Sequence, residues 1–152
     1  MSVPTSSGGN GPSEGARQRK DAFQAVDYSR VLVVGRSPIN RVVVSKIAER
    51  AGLKPLSESP DTAETALQVF VPGTIVLDGG PDNRDCEGLL ASIAATRRAT
   101  GTKAPSVILL SNGNGTPESL GLPGVIDVMV AKPITPERLQ PVLGRLAGQG
   151  RH

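Results

Sequence analysis

The sequence predicts an α/β protein built on a doubly wound parallel sheet, and two observations support this prediction. Short apolar runs rich in β-branched residues alternate with helical patterns, so that a βα unit repeats five times between residues 30 and 147. Each run is apolar at consecutive positions, which is typical of strands buried on both faces of a parallel sheet. A chain of 152 residues, 38% of them hydrophobic, is enough for one domain with a single core.

Five apolar runs are the predicted strands. In chain order they are RVLVV (30 to 34), the weaker LKPLS (53 to 57), GTIVL (73 to 77), SVILL (106 to 110) and VIDVMV (125 to 130). Five strands alternating with helices favour the flavodoxin-like strand order 2-1-3-4-5. In that arrangement functional sites form at the carboxyl ends of the strands.

The starts of three helices are indicated by a hydroxyl residue followed by proline. The hydroxyl can cap the helix, and proline suits its first position. Ser37-Pro38, Ser59-Pro60 and Thr135-Pro136 show this pair. The first helix should end at Gly52, and a further helix should cover residues 86 to 99.

Apolar residues at helical spacing predict which face of each helix is buried. Pro141 lies inside the last helix and predicts a kink or a shortened helix there. The residues expected on buried faces are Ile39, Val42, Val43 and Ile47, then Ala63, Ala66, Leu67 and Phe70, then Leu89, Leu90 and Ile93, and finally Leu139, Val142, Leu143 and Leu146.

The first 29 residues differ in composition from the rest of the chain. The stretch MSVPTSSGGNGPSEG is rich in Ser, Gly and Pro and cannot bury enough apolar surface to offset the entropy of ordering. Residues 1 to 29 are therefore predicted to form a disordered segment or linker. The folded domain should cover residues 30 to 147, and residues 148 to 152 should form a disordered tail.

Composition argues against several classes of protein. One cysteine and one histidine exclude an internal disulfide and disfavour a zinc site of the Cys/His type. A net charge of +3 and three aromatic residues argue against nucleic-acid binding. No apolar run approaches the ~20 residues of a membrane helix, and the start lacks the layout of a signal peptide. The sequence therefore predicts a soluble, cytoplasmic protein that does not bind membranes.

The residues that directly follow the predicted strands are the candidates for a functional site. They are Gly35 and Arg36, Asp78, Ser111, and Lys132 with Pro133. Because parallel strands end at one edge of a sheet, these residues should converge there.

Four stretches resemble the receiver domains of response regulators, the CheY-like family of two-component signalling. VLVVGRSPINRVVVSKIAERAG is similar to the first strand and helix of that family, and IVLDGG, VILLS and VMVAKP to the ends of its third, fourth and fifth strands. The resemblance implies that Asp78 accepts a phosphoryl group from a histidine kinase. It also implies that Ser111 hydrogen-bonds the phosphoryl group, that Lys132 pairs with it, and that the bond before Pro133 is cis.

The sequence departs from the family where the metal should bind. In receiver domains an acidic pair after the first strand helps to hold Mg²⁺, but here that place is occupied by Gly35 and Arg36. Arginine is always charged and has no lone pair to offer a metal, so Mg²⁺ binding should be weak at most. We expect the Arg36 guanidinium to take the place of the metal and to pair with Asp78. Alternatively, Arg36 points to solvent and Asp78 is a structural carboxylate satisfied by Lys132.

Two further stretches are unusual for the family. Met129 replaces the usual aromatic residue of the fifth strand, and SNGNGTPESLGLPG, which follows the fourth strand, is rich in glycine and proline. Both residues disfavour helices, so the helix between the fourth and fifth strands should be weak or missing. The loop after Asp78 carries Asp82, Asp85 and Glu87, which either bind a cation at a displaced position or are simply solvated.

These features predict an atypical receiver domain of a bacterial two-component system, one that acts as a protein-interaction module rather than an enzyme. Its expected partner is a histidine kinase or a phosphotransfer protein, bound through the first helix near Asn40 and Arg41 and through the loops around Asp78. The main alternative is a functional receiver that is phosphorylated on Asp78. A scaffold with a vestigial pocket is a second alternative. A flavodoxin-like ligand binder is disfavoured because no GxGxxG motif follows the first strand, and no small-molecule cofactor is expected.

Overall fold

Five parallel strands form one sheet, in the order β2-β1-β3-β4-β5, in the computed structural model, which describes residues 26–80, 85–112 and 124–149. The predicted fold class and strand order are therefore confirmed. The strands are β1 (Asp27–Val34), β2 (Lys54–Glu58), β3 (Pro72–Asp78), β4 (Ser106–Ser111) and β5 (Val128–Ala131).

Helices cover both faces of the sheet. They are α1 (Pro38–Arg50), α2 (Ala63–Phe70), α3 (Leu90–Thr100), which follows a short 3₁₀ turn at Glu87–Leu89, and α4 (Pro136–Gln149). One core cluster lies between the sheet and α2 with α3, and a second lies between the sheet and α1 with α4. No helix in the described ranges is long and apolar enough to cross a membrane.

The register of the strands brings the candidate residues to one edge of the sheet. Val34, the last residue of β1, pairs with Leu77, and Asp78 pairs with Leu110. At the other side of β4, Ser111 pairs with Ala131. The chain segments that follow β1, β3, β4 and β5 therefore leave the sheet at neighbouring points.

The buried face of α1 differs from the predicted one. Val44, Ile47 and Ala48 face the core, whereas Ile39 is 75% exposed, Val42 56% and Val43 37%. Of the four residues predicted to be buried, only Ile47 is. The helix carries apolar residues on two faces, so its periodicity alone does not identify the face that contacts the sheet.

The other helices follow the predicted pattern more closely. Ala63, Ala66 and Leu67 are buried, as are Leu89, Leu90 and Ile93. Leu139, Leu143 and Leu146 are also buried, and Val142 is partly so. Phe70 is an exception, because it is 39% exposed and carries the guanidinium of Arg30 over its ring at 4.9 Å.

Some element boundaries differ from the sequence prediction. β1 begins three residues early, at Asp27, whose amide donates to the carbonyl of Val71 at 3.0 Å. β5 begins only at Val128, because the Asp127 carboxylate accepts the Val107 amide at 2.8 Å and pairs with Arg97 at 2.6 Å. α2 begins at Ala63, after Thr62, rather than directly after Ser59-Pro60.

The last helix continues past Pro141. Pro141 lies inside α4, which extends over 14 residues, so the helix is not shortened there. The helix predicted to be weak between β4 and β5 would fall within residues 113–123, which lie outside the described residues. Residues 1–25 and Asp82 also lie outside them.

Candidate functional site

A cleft of about 450 Å³ opens at the carboxyl edge of the sheet, above the end of β3. Its walls come from the segments that follow β1, β3, β4 and β5. The residues that line it are Arg36, Ser37, Asn40, Asp78, Gly80, Asp85, Asn112 and Lys132.

Asp78 lies at the base of this cleft and is only 5% exposed. Its Oδ1 accepts hydrogen bonds from the Lys132 ammonium at 2.6 Å and from the Gly80 amide at 3.2 Å. Its Oδ2 accepts the side-chain amide of Asn40 at 2.8 Å. Each carboxylate oxygen therefore already has a donor from the protein.

Different elements supply these donors. Lys132 follows β5, where its backbone amide donates to the carbonyl of Ser111 at 2.9 Å, and the bond between Lys132 and Pro133 is cis, as predicted. Asn40 lies in the first turn of α1, where Ser37 caps the helix by accepting the Asn40 amide at 3.2 Å. The predicted Ser37 cap, with Pro38 at the helix start, is thus confirmed and directs Asn40 toward Asp78.

Gly35 allows the end of β1 to pack directly against Asp78. A Cβ atom at position 35 would lie 2.9 Å from the Cβ of Asp78, closer than real Cβ contacts. Glycine is therefore required here by space, and a side chain at this position would displace Asp78.

Arg36 does not form the predicted pair with Asp78. Its side chain is 62% exposed, and its Nε lies 3.7 Å from Oδ1 of Asp85, on the loop that precedes α3. Lys132 and Asn40 already donate to the two Asp78 oxygens, and the arginine side chain instead lines the cleft beside Asp85. The metal-mimicking role predicted for Arg36 required an ion pair with Asp78, whereas the observed ion pair is with Asp85.

The remaining predicted residues have different positions. Ser111 is at the end of β4 beside the strand of Asp78 and is 1% exposed, while its neighbour Asn112 lines the cleft and donates to the Gly80 carbonyl at 3.0 Å. Arg41 is partly buried, and its Nε is buried with no hydrogen-bond partner among the described residues. Asn40, predicted to bind a partner, lines the cleft and donates to Asp78.

Electrostatics keep Asp78 ionised. Burial raises the pKa of its carboxyl, but the hydrogen bonds from Lys132, Asn40 and the Gly80 amide lower it by more, so the pKa is below its ordinary value. Cys86 lies below the cleft, with its thiol 3.4 Å from the Asp78 carbonyl. Burial and the charges of Asp78 and Asp85 raise the pKa of this thiol to about 12, so it stays protonated at neutral pH.

The residues present do not fit Mg²⁺, which needs several oxygen ligands in octahedral geometry. Gly35 offers no side-chain ligand, Arg36 is a cation, and both oxygens of Asp78 accept protein donors. Of the predicted displaced ligands, Asp85 pairs with Arg36. Within the described ranges, no group of three acidic, His or Cys residues is placed to hold a metal.

The low pKa of Asp78 makes the stability of the domain depend on pH. Its contribution is fully present above the pKa of an unfolded aspartate, about 3.9, and is lost as the pH falls through the lower pKa of the folded state. Asp78→Asn removes this contribution, so urea unfolding should show a shallower loss of stability between neutral and acid pH for the variant. Parallel curves for the two proteins would contradict this expectation.

No family model and no curated protein match the sequence. Solved structures match along most of the chain. The chemotaxis response regulator CheY4 of Vibrio cholerae is 22% identical with a TM-score of 0.59, over 78% of this chain and 98% of that one. The receiver domain of a Pseudomonas aeruginosa sensor histidine kinase, described with magnesium in its active-site cleft, is 18% identical with a TM-score of 0.64, over 79% and 98%.

A third similar structure is the receiver domain of a putative LuxO repressor protein from Vibrio parahaemolyticus. It is 19% identical with a TM-score of 0.62, over 81% of this chain and 92% of that one. The strand order and the helices on both faces agree with this likeness. The chain therefore has the fold of response-regulator receiver domains.

Proposed function

We propose that the chain is an atypical receiver domain of bacterial two-component signalling that acts as a protein-interaction module and has lost Mg²⁺-dependent phosphorylation. The receiver fold and the Asp78–Lys132 pair support the family role. The absence of acidic side chains at positions 35 and 36 supports the loss of the metal-dependent step. The proposed role needs no catalytic turnover and no small-molecule cofactor, and it places the domain in the cytoplasm.

The occupancy of the Asp78 carboxylate carries this proposal. A carboxylate that attacks a phosphoryl group must direct a lone pair at the phosphorus, and phosphoryl transfer depends on cations placed around the transferred group. Here Lys132 and Gly80 hold Oδ1 and Asn40 holds Oδ2. The aspartate thus serves as the centre of a hydrogen-bonded network that fixes three segments of the chain.

The exposed face of α1 is the surface that we assign to the partner. This surface has three exposed apolar residues on adjacent turns beside the cleft: Ile39, Val42 and Val43. Lys46, also exposed, lies one turn further along the same face. Exposed apolar residues beside a basic one are complementary to a partner helix whose apolar face is flanked by acidic residues. We expect a histidine kinase or a phosphotransfer protein to supply it.

Val42→Lys should weaken partner binding by at least about tenfold, because it places a charge in the centre of the apolar contact. Val69→Lys is the matched control, since Val69 is 65% exposed on α2, which covers the opposite face of the sheet. Isothermal titration against purified histidine kinases and phosphotransfer proteins of the same bacterium measures both variants. The assigned surface would be refuted if both variants lost the same affinity, or if none of these kinases and phosphotransfer proteins bound the wild-type domain.

A functional phospho-receiver is the second candidate, and one observation favours it. Lys132 lies 2.6 Å from Asp78, close enough to pair with a phosphoryl group on that aspartate, as the family resemblance implies. That function predicts phosphoryl incorporation from acetyl phosphate that disappears in Asp78→Asn. Our proposal predicts no incorporation in either protein, so the same experiment separates the two candidates.

A further inference from the structure

The geometry points to Asn40 as the positioning residue that closes Asp78 to cations, because its amide occupies the carboxylate oxygen that Lys132 leaves available. This inference rests on the proposed function and names the residue responsible for it. It differs from the sequence prediction, which gave this role to Arg36.

The two oxygens of Asp78 have different surroundings. Oδ1 accepts two donors, Lys132 and Gly80. Oδ2 accepts the Asn40 amide at 2.8 Å and lies on the side of β1, 3.4 Å from where a Cβ of Gly35 would be. A cation bound between the ends of β1 and β3 would have to bond to Oδ2, the oxygen that Asn40 holds.

The Asn40 side chain is well placed to keep this oxygen occupied. Its backbone amide is fixed by the Ser37 cap, and Pro38 restricts the chain at the first position of α1. The side-chain nitrogen is a donor and cannot ligate a metal. If the amide turned over, its oxygen would face Oδ2 across the same short distance, and two acceptors would then repel each other.

Arg36 is the competing explanation, and the structure separates it from Asn40. The Arg36 side chain is largely exposed, and its ion pair is with Asp85 at 3.7 Å. An exposed ion pair of this length contributes little to stability, and salt screens it. Removing the arginine charge should therefore leave Oδ2 of Asp78 as closed as before.

The test is a Mg²⁺ titration of the whole chain, followed by amide NMR at Gly35, Asp78 and Gly80 and by thermal unfolding with and without Mg²⁺. Asn40→Asp converts the donor into an oxygen ligand of nearly the same shape and places two carboxylates side by side. This variant should bind Mg²⁺ at least about tenfold more tightly than wild type, and Mg²⁺ should raise its melting temperature more than that of wild type. Arg36→Gln tests the competing explanation and should gain much less Mg²⁺ affinity than the Asn40 variants do.

A second variant keeps the test decisive if two adjacent carboxylates prevent folding. Asn40→Ala removes the donor without adding charge and should tighten Mg²⁺ binding severalfold. The inference is overturned if Arg36→Gln gains Mg²⁺ binding while the Asn40 variants do not, or if wild type binds Mg²⁺ as tightly as Asn40→Asp. If the Asn40 variants bind Mg²⁺ no more tightly than wild type and the protein is not phosphorylated, this inference alone is refuted. Mg²⁺-dependent phosphorylation of wild type would instead refute the proposed function.

Discussion

Lys132→Met is expected to lower the free energy of unfolding by about 3 kcal/mol, because it leaves the Asp78 carboxylate buried without its cation. The side chain of Asp78 is 7% exposed and that of Lys132 19%, so water cannot replace the lost partner fully. Asn40 and Gly80 still donate to the carboxylate, which limits the loss. Urea unfolding at neutral pH measures the change.

Asp78→Asn in the Lys132→Met background is the control for this result. Neutralising the unpaired carboxylate should recover most of the lost stability, since a buried amide costs less than a buried charge. Asp78→Asn alone should cost less than Lys132→Met, because the lysine can turn toward solvent. If Lys132→Met were as stable as wild type, the Asp78–Lys132 pair would not be a main support of the cleft.

Gly35→Asp, which restores an acidic residue after β1, should destabilise the domain rather than create a magnesium site. Adding only a Cβ, as in Gly35→Ala, should cost about 1–3 kcal/mol, because that atom would contact Asp78 at 2.9 Å. The aspartate variant should cost more, since it also places a second negative charge beside Asp78. Chemical denaturation with and without Mg²⁺ gives both values.

Gly88→Asp is the matched control for this substitution. A Cβ at Gly88 meets no atom within 4 Å, and the residue is exposed. The control should therefore change stability by no more than about 0.5 kcal/mol. A Gly35→Asp variant as stable as the control and stabilised by Mg²⁺ would show that the end of β1 moves easily to admit a metal.

The sheet could be predicted from the sequence because its strands are continuous apolar runs with helical patterns between them. The convergence of Asp78, Lys132 and the first turn of α1 at one edge followed from that topology. Ser37 and Pro38 also marked the start of α1 correctly. The buried face of α1 could not be predicted, because its valines lie on two sides and only packing against the sheet selects Val44.

The detailed contacts of the site were beyond sequence reasoning for a different reason. Asn40 and Asp78 are 38 residues apart, and the direction of a side chain in a first helical turn depends on how the helix sits on the sheet. Asn40 and Arg41 looked equivalent as polar residues at a helix start, yet only Asn40 reaches Asp78. The choice of Asp85 by Arg36 similarly depends on the path of the loop before α3, which no periodic pattern describes.

The most direct test of the central claim is an amide NMR titration of the wild-type chain with millimolar Mg²⁺, followed by beryllofluoride as a mimic of the phosphoryl group. With Asp78 held by Lys132, Asn40 and Gly80, we predict no saturating shifts near Asp78, Ser111 or Lys132 in either step. Saturating shifts with Mg²⁺ and a further change with beryllofluoride would contradict the account and identify the chain as a working phospho-receiver.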